Sequence, residues 1–208
     1  VRAFLGALKR PLRVVGGNHD YIYPDGYPPN PATGHALKQS IPEKRQLKLE
    51  RFRKAWKLEA LSYSEVLAGY LLVFLTPDHL VSNNYSEMTE PTLAWFESEL
   101  ARMRSLPTIV FFHAPLQGSY RSEKIAKATT PDSYDAEPAG RIREILLKNR
   151  QVFLWVSGHL HLAPASRSFA APINVYENQV RVIHNADWDG DSLFSEEADT
   201  VASELSAL

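Results

Sequence analysis

The 208-residue sequence contains no cysteine, which at once excludes disulfides and thiolate metal sites. It has no surplus of charge of either sign. Its 23 Lys and Arg stand against 24 Asp and Glu, for a formal net charge of −1. So even a balance gives no electrostatic case for a nucleic-acid or membrane partner. Long apolar runs are missing too. Tyr70 to Leu75 is among the longest, far short of the ~20 residues that cross a bilayer. No signal peptide is visible, and a cytoplasmic location is the expectation. Neither repeats nor low-complexity segments occur. What remains is an ordinary globular composition, 44% hydrophobic and 23% charged, long enough for one full core and most simply one domain.

Against that plain background three short motifs stand out. Gly17-Asn18-His19-Asp20 lies near the start, His113 in the middle, and Gly158-His159-Leu160-His161 near the end. Each follows a short run rich in β-branched and aromatic residues: Leu12 to Val15, Thr108 to Phe112 and Val152 to Val156. Such runs read as buried strands of a parallel sheet. Side chains just past the carboxyl ends of parallel strands converge on one crevice, so the amide and the imidazoles are expected to be neighbours in space. An extended backbone would send His159 and His161 to the same side. Gly16, Gly17 and Gly158 would let the backbone approach the site closely. An Asn carbonyl with several imidazole nitrogens suits a borderline divalent ion such as Mn, Fe, Co, Ni or Zn better than Ca or Mg. Taken singly, each motif has a bland reading: a hydrogen-bonded structural His at 113, solvated loop residues at 159 and 161, a turn-capping Asn at 18.

The rest of the chain supplies the frame. Arg2 to Lys9 reads as a helix end stopped before Pro11, and Tyr21 to Pro31 as a loop dense in Pro and Tyr. Pro42 starts a helix running to about Leu58, with Leu47, Leu49, Phe52 and Trp56 available to bury a face. Leu61 to Leu67 and Tyr70 to Leu75, split by Ala68-Gly69, read as a strand pair. Thr89-Glu90-Pro91 opens a helix whose Leu93, Phe96, Leu100 and Met103 have the spacing of a buried stripe. Gln117 to Ala136 reads as a surface excursion, and Pro138 to Asn149 as an amphipathic helix through Ile142, Ile145 and Leu146. Ile173 to Tyr176 and Val180 to Ile183 form a meander, and Glu196 to Leu208 a terminal helix. Alternating helices and buried strands give an α/β class with helices outside.

In that order, G-N-H-D, a lone His after an apolar strand, and G-H-x-H resemble the later motifs of the calcineurin-like metallophosphoesterases. The resemblance runs from about Leu12 to His161, and Asp187 fits its tail. It implies a four-layer α/β/β/α sandwich and two divalent ions acting on a phosphoester substrate. It further implies that Asn18, His113 and His159 ligate the second metal and that His161 reaches the first. His19 would face the phosphoryl group and the leaving oxygen without binding metal. Asp20 would hold His19 in its working tautomer and orientation.

The family pattern opens with D-x-H and G-D-x-x-D, and neither precedes Asn18. Residues Val1 to Gly17 contain no Asp, Glu or His. The expectation is therefore that residues 1–208 form the carboxy-terminal portion of a larger phosphoesterase domain that lacks its first strands here, and that this chain alone holds at most one ion. Three readings stay open at this point. One is a metal-dependent phosphoric ester hydrolase with a dinuclear centre, manganese being one candidate metal. Another is a catalytically impaired phosphoesterase-like scaffold that binds proteins. The third is a mononuclear site of Asn18, His113 and His159.

Other features read as bland. His35, His79 and His184 match no motif, although His184 follows a strand and could line the site from the side. Asp187-Trp188-Asp189-Gly190-Asp191 imitates a calcium loop but has Ser192 and Ala198 where Gly and Glu belong, which favours a polar turn. Asn84-Tyr85-Ser86 is a glycosylation sequon by chance. Tyr21, Tyr23 and Tyr27 either shape a substrate pocket or pack a Pro-rich turn.

Overall fold

The computed structural model describes residues 11–23, 40–121, 134–161 and 172–185. Six strands form one mixed sheet: β1 (Tyr63–Leu67), β2 (Tyr70–Phe74), β3 (Thr108–Phe111), β4 (Val152–Ser157), β5 (Val175–Tyr176) and β6 (Val180–His184). Their spatial order is β1-β2-β3-β4-β6-β5. Among the described residues the helices are α1 (Asn18–Tyr21), α2 (Pro42–Trp56), α3 (Glu90–Arg102) and α4 (Ala139–Lys148). This is an α/β fold with helices flanking a sheet.

Local chemistry explains the element ends. Ala68 and Gly69 have φ of +53° and +83°, the left-handed pair that a two-residue hairpin needs to match strand twist. They join β1 to β2 as an antiparallel pair. Helix α2 takes Pro42 in its first turn and stops at Lys57, a left-handed residue with φ 56° whose N–H returns to Arg53 and Lys54. The Asp78 carboxylate caps α3. It accepts the Thr89 N–H at 2.7 Å, the Thr89 hydroxyl at 2.8 Å and the Thr92 hydroxyl at 2.7 Å.

The connections β2-α3-β3 and β3-α4-β4 are parallel crossovers, and both helices lie on one face of the sheet. There Leu93, Phe96 and Leu100 of α3 and Ile142, Ile145 and Leu146 of α4 pack on Leu71, Val73, Val110, Val152, Trp155 and Val182. All are inaccessible or nearly so. The sequence periodicity of both helices is thus realised. On the opposite face Phe74 stacks between Tyr63 and Phe111, with ring centroids 4.8 and 4.9 Å apart. A second apolar cluster of Tyr21, Ile22, Tyr23 and Leu49 ties α1 to α2.

Two strand expectations are corrected. Leu12 to Val15 is not a strand. The hairpin partner β1 already fills the edge of β2. Val14 instead donates its N–H to the Tyr63 hydroxyl and accepts that hydroxyl at its own carbonyl, each at 3.0 Å, while Arg13 bonds Glu65 at 2.6 Å. The last strands are not a meander laid on the sheet. β6 enters it, parallel to β4 on one side and antiparallel to β5 on the other. The predicted segments 2–9 and 196–208 lie outside the described residues.

Strands β2, β3, β4 and β6 run parallel, so their carboxyl ends share one edge. That edge carries Thr76, His113, His159 and His184. Backbone bonds stitch it together: Gly158 N–H to the His113 carbonyl at 2.9 Å, and Asn185 N–H to the Ser157 carbonyl at 2.6 Å. The buried Trp155 indole adds a 2.9 Å bond to the Ala114 carbonyl.

Candidate metal centre

The Gly-Gly-Asn-His-Asp turn is held against the strand ends by contacts that need glycine. Gly16 donates its N–H to the Thr76 hydroxyl at 3.0 Å. A Cβ on Gly16 would meet Thr76 Cγ2 at 2.8 Å, and one on Gly17 would meet His113 Cε1 and Nδ1 at 2.7 Å. The expected close approach is therefore real at both positions. At Gly158 the nearest atoms to such a Cβ would be 3.7 and 3.8 Å away, an ordinary contact. The Asp20 carboxylate accepts the Gly17 N–H at 2.8 Å. Burial raises its pKa, while that hydrogen bond and the charges of His19 and Lys48 pull it down. The bond shown for Asp20 thus closes the turn, and the residue acts on His19 through charge.

Asn18 is nearly inaccessible. Its Oδ1 stands 2.8 Å from His113 Nε2, joining residues 95 positions apart. The His113 ring lies 4.5 Å from the His159 ring. Burial first, then the neighbouring imidazoles of His159, His19, His161 and His184, hold the His113 pKa well below its ordinary 6.5. His113 is therefore neutral, the form in which imidazole ligates a metal. His19 is exposed and packs on Tyr23 with ring centroids 4.8 Å apart. The expected residues Asn18, His19, His113, His159 and His161 are brought to one crevice.

The backbone of the last motif differs from expectation. His159 and His161 have φ of +74° and +55°. The segment is a tight left-handed turn, not an extended one, so the two imidazoles do not share a side by strand alternation. His159 joins His113, and His161 lies within electrostatic reach of His184. His184, which matched no motif, thus borders the site. Among the described residues no three His, Asp or Glu side chains form a ready-made cage. The Asn18 oxygen and the His113 nitrogen form one close pair of potential metal donors.

Three further residues at the crevice were not singled out from the sequence as site residues. Thr76 anchors the glycines. Tyr85 meets His159 edge-on at 6.1 Å, and Tyr134 lies 5.7 Å from the same ring. His184 lines the site from the side, as its place after a strand suggested. Of the tyrosines after the turn, Tyr21 is wholly buried in the α1–α2 cluster and Tyr23 reaches Asn18. Tyr27, His35 and the run Asp187 to Asp191 lie outside the described residues.

The imidazoles predict a pH response. Burial, then His161, holds His184 at a pKa of about 4, and His113 is depressed in the same sense. The folded state binds fewer protons here than the unfolded chain. The associated stability is complete above the ordinary pKa of 6.5 and is lost as pH falls toward the folded values. The melting temperature of metal-free protein should drop across that interval, and His184→Gln should make the drop shallower. Thermal melts over that range check this; an unchanged slope in the variant would contradict it.

The α/β sheet gathers imidazoles and a buried carboxamide past its parallel strand ends. The model of the family described as calcineurin-like phosphoesterase matches residues 1–163, and the chain belongs to that family. Metal-dependent phosphoester hydrolysis is the family's general chemistry. No curated protein matches the chain. Among the described residues no helix is long and apolar enough to cross a membrane.

Proposed function

We propose that this protein hydrolyses a phosphomonoester or phosphodiester with divalent metal ions held at the strand-end crevice. The observation that supports this most directly is the approach of Asn18 Oδ1 to His113 Nε2 at 2.8 Å, with His159 against the same ring. A carbonyl oxygen and neutral imidazoles fit a borderline ion such as Mn, Fe, Co, Ni or Zn. Asn18, His113 and His159 would hold one ion, and His161 would contribute to a second. Bound metal supplies Lewis-acid charge and a water of lowered pKa.

The chain's own residues account for the rest. His19 is exposed beside the buried donors, where an incoming phosphoryl group can meet it. It can offer a proton to the leaving oxygen and a positive dipole to the phosphoryl oxygens. Asp20 closes the turn that carries His19 and places negative charge beside it.

The test is hydrolysis of an aryl phosphate and a bis-aryl phosphate with added Mn or Co. It is run with and without chelator, beside elemental analysis of the dialysed protein. Metal-dependent turnover that disappears in His113→Ala is the expected result. Bound metal without turnover on either substrate would overturn the enzyme reading in favour of a protein-binding scaffold.

A further inference from the structure

Two connections past the carboxyl ends of the parallel strands bring tyrosines to one imidazole. Tyr85 lies between β2 and α3, and Tyr134 between β3 and α4. Their rings are 6.3 Å apart and nearly perpendicular, at 89°. Both also meet the His159 ring, Tyr85 at 6.1 Å and 78°, Tyr134 at 5.7 Å and 35°. The three rings form an aromatic corner beside the candidate metal centre, where ligands of such sheets bind.

Backbone bonds hold the corner in place. The Glu137 N–H donates to the Ser86 carbonyl at 3.0 Å, and the Met88 N–H to the Glu137 carbonyl at 2.9 Å, so the two tyrosine-bearing segments are laced together. The Ala136 N–H donates to the Pro115 carbonyl at 2.8 Å, which ties the pair to the segment after β3. The Tyr120 hydroxyl donates to the Asp135 carboxylate at 2.9 Å. Ser86, Met88, Asp135 and Ala136 are all buried. The rings of Tyr85 and Tyr134 are not; each stays half-exposed. A tyrosine that only filled the interior would end like Tyr21, with no accessible surface. Half-exposed rings on a fixed backbone instead offer π surface to a ligand at little cost in lost freedom. A cationic group would also favour tyrosine faces. Here it would stand beside the imidazole cluster and any metal bound there, whose positive charge opposes it. Asp135, next to Tyr134 in sequence, is engaged by Tyr120. A neutral planar ring gains the stacking without that opposition, and an alkyl group has no face to stack.

We propose that Tyr85 and Tyr134 form a specificity subsite that favours phosphoesters carrying a planar aromatic ring on the ester oxygen, by stacking that ring beside His159. The inference rests on the phosphoester reading of the crevice and adds the class of ester group. The tyrosines select; they take no part in moving protons.

The test titrates two non-hydrolysable probes, phenylphosphonate and methylphosphonate, into the full chain with added Co(II), by calorimetry. Wild-type protein should bind the phenyl probe about 5–150-fold more tightly, the range for one stacked ring. Tyr85→Ala and Tyr134→Ala should each cut that preference by at least about fivefold on the same scale and leave methylphosphonate binding unchanged. Tyr85→Phe and Tyr134→Phe, which keep the rings, should retain it. A variant that merely packed poorly would weaken both probes alike, so the ratio is the reading that counts. In hydrolysis of an aryl phosphate the alanine variants should raise KM and leave kcat near wild type. An adenosine 5′-phosphonate separates a ring attached directly to the ester from a nucleobase carried on a sugar; the probe whose excess affinity the alanine variants abolish names the source. Equal binding of ring-bearing and methyl probes by wild-type protein overturns the proposal. So does a preference unchanged in both alanine variants. Failure of every probe to bind would sink the phosphoester reading itself, and the subsite with it.

Discussion

Replacing His19 by alanine is expected to lower turnover by about 10²–10⁴, the range for a lost general acid, while bound metal stays at the wild-type level. His113→Ala should lose metal and turnover together. The two imidazoles differ in placement, and the difference predicts the split. His113 faces Asn18 Oδ1 through Nε2 and the ring of His159 at 4.5 Å, and its neutral state is enforced by burial. His19 rides on the short helix α1, with its ring on Tyr23 and an exposed surface. Its removal trims the edge of the crevice and leaves the donor pair in place. Metal per chain by elemental analysis, measured with kcat for each variant, separates the outcomes. An emptied site in His19→Ala would show that His19 is a ligand and that the division of roles is wrong.

Local pattern made much of this arrangement legible. The stripe of Leu93, Phe96 and Leu100, the Pro starts of α2 and α3, and the Ala68-Gly69 hairpin are all determined within a few residues. The structure agrees with each. The strand-end rule placed His113 and His159 together because β3 and β4 are parallel neighbours. What escaped depended on pairing between distant segments. Val180 to Ile183 reads as a strand with His184 as a possible lateral lining residue, but the parallel register with β4 that pairs Ser157 with His184 could not be read from it. Leu12 to Val15 has a strand's composition, but it meets β1 through the Tyr63 hydroxyl and the Glu65 carboxylate rather than by backbone pairing. The left-handed φ of His159 and His161 leaves no mark in the sequence, since no glycine occupies those positions. Tyr85 and Tyr134 come from irregular segments, where spacing carries no information about direction.

The second large effect is expected from Gly17→Ala, a change of one methyl group. Gly17 has φ −119° and ψ −179°, an extended conformation open to any residue, so backbone strain is not the reason. Space is. The added Cβ would stand 2.7 Å from His113 Cε1 and Nδ1 and 3.1 Å from its Cγ. The ring has little room to yield, with Asn18 at its Nε2 and His159 beside it. Relief requires either tilting His113 away from Asn18 or pushing the whole turn off the strand ends. Either movement separates the donor pair. Co(II) affinity should fall by at least about tenfold, in line with a disturbed ligand partner. Stability should fall by about 1–3 kcal/mol, as for other overpacked interiors. Gly158→Ala is the matched comparison. Its new Cβ would have nothing closer than the carbonyl oxygens of His113 and Asn185, at 3.7 and 3.8 Å, and both properties should stay near wild type. Calorimetric Co(II) titration and thermal melts of the two variants make the comparison. If Gly17→Ala matched Gly158→Ala in both, the turn would not lie against His113 as described, and the 2.8 Å contact between Asn18 and His113 could not be what assembles the site.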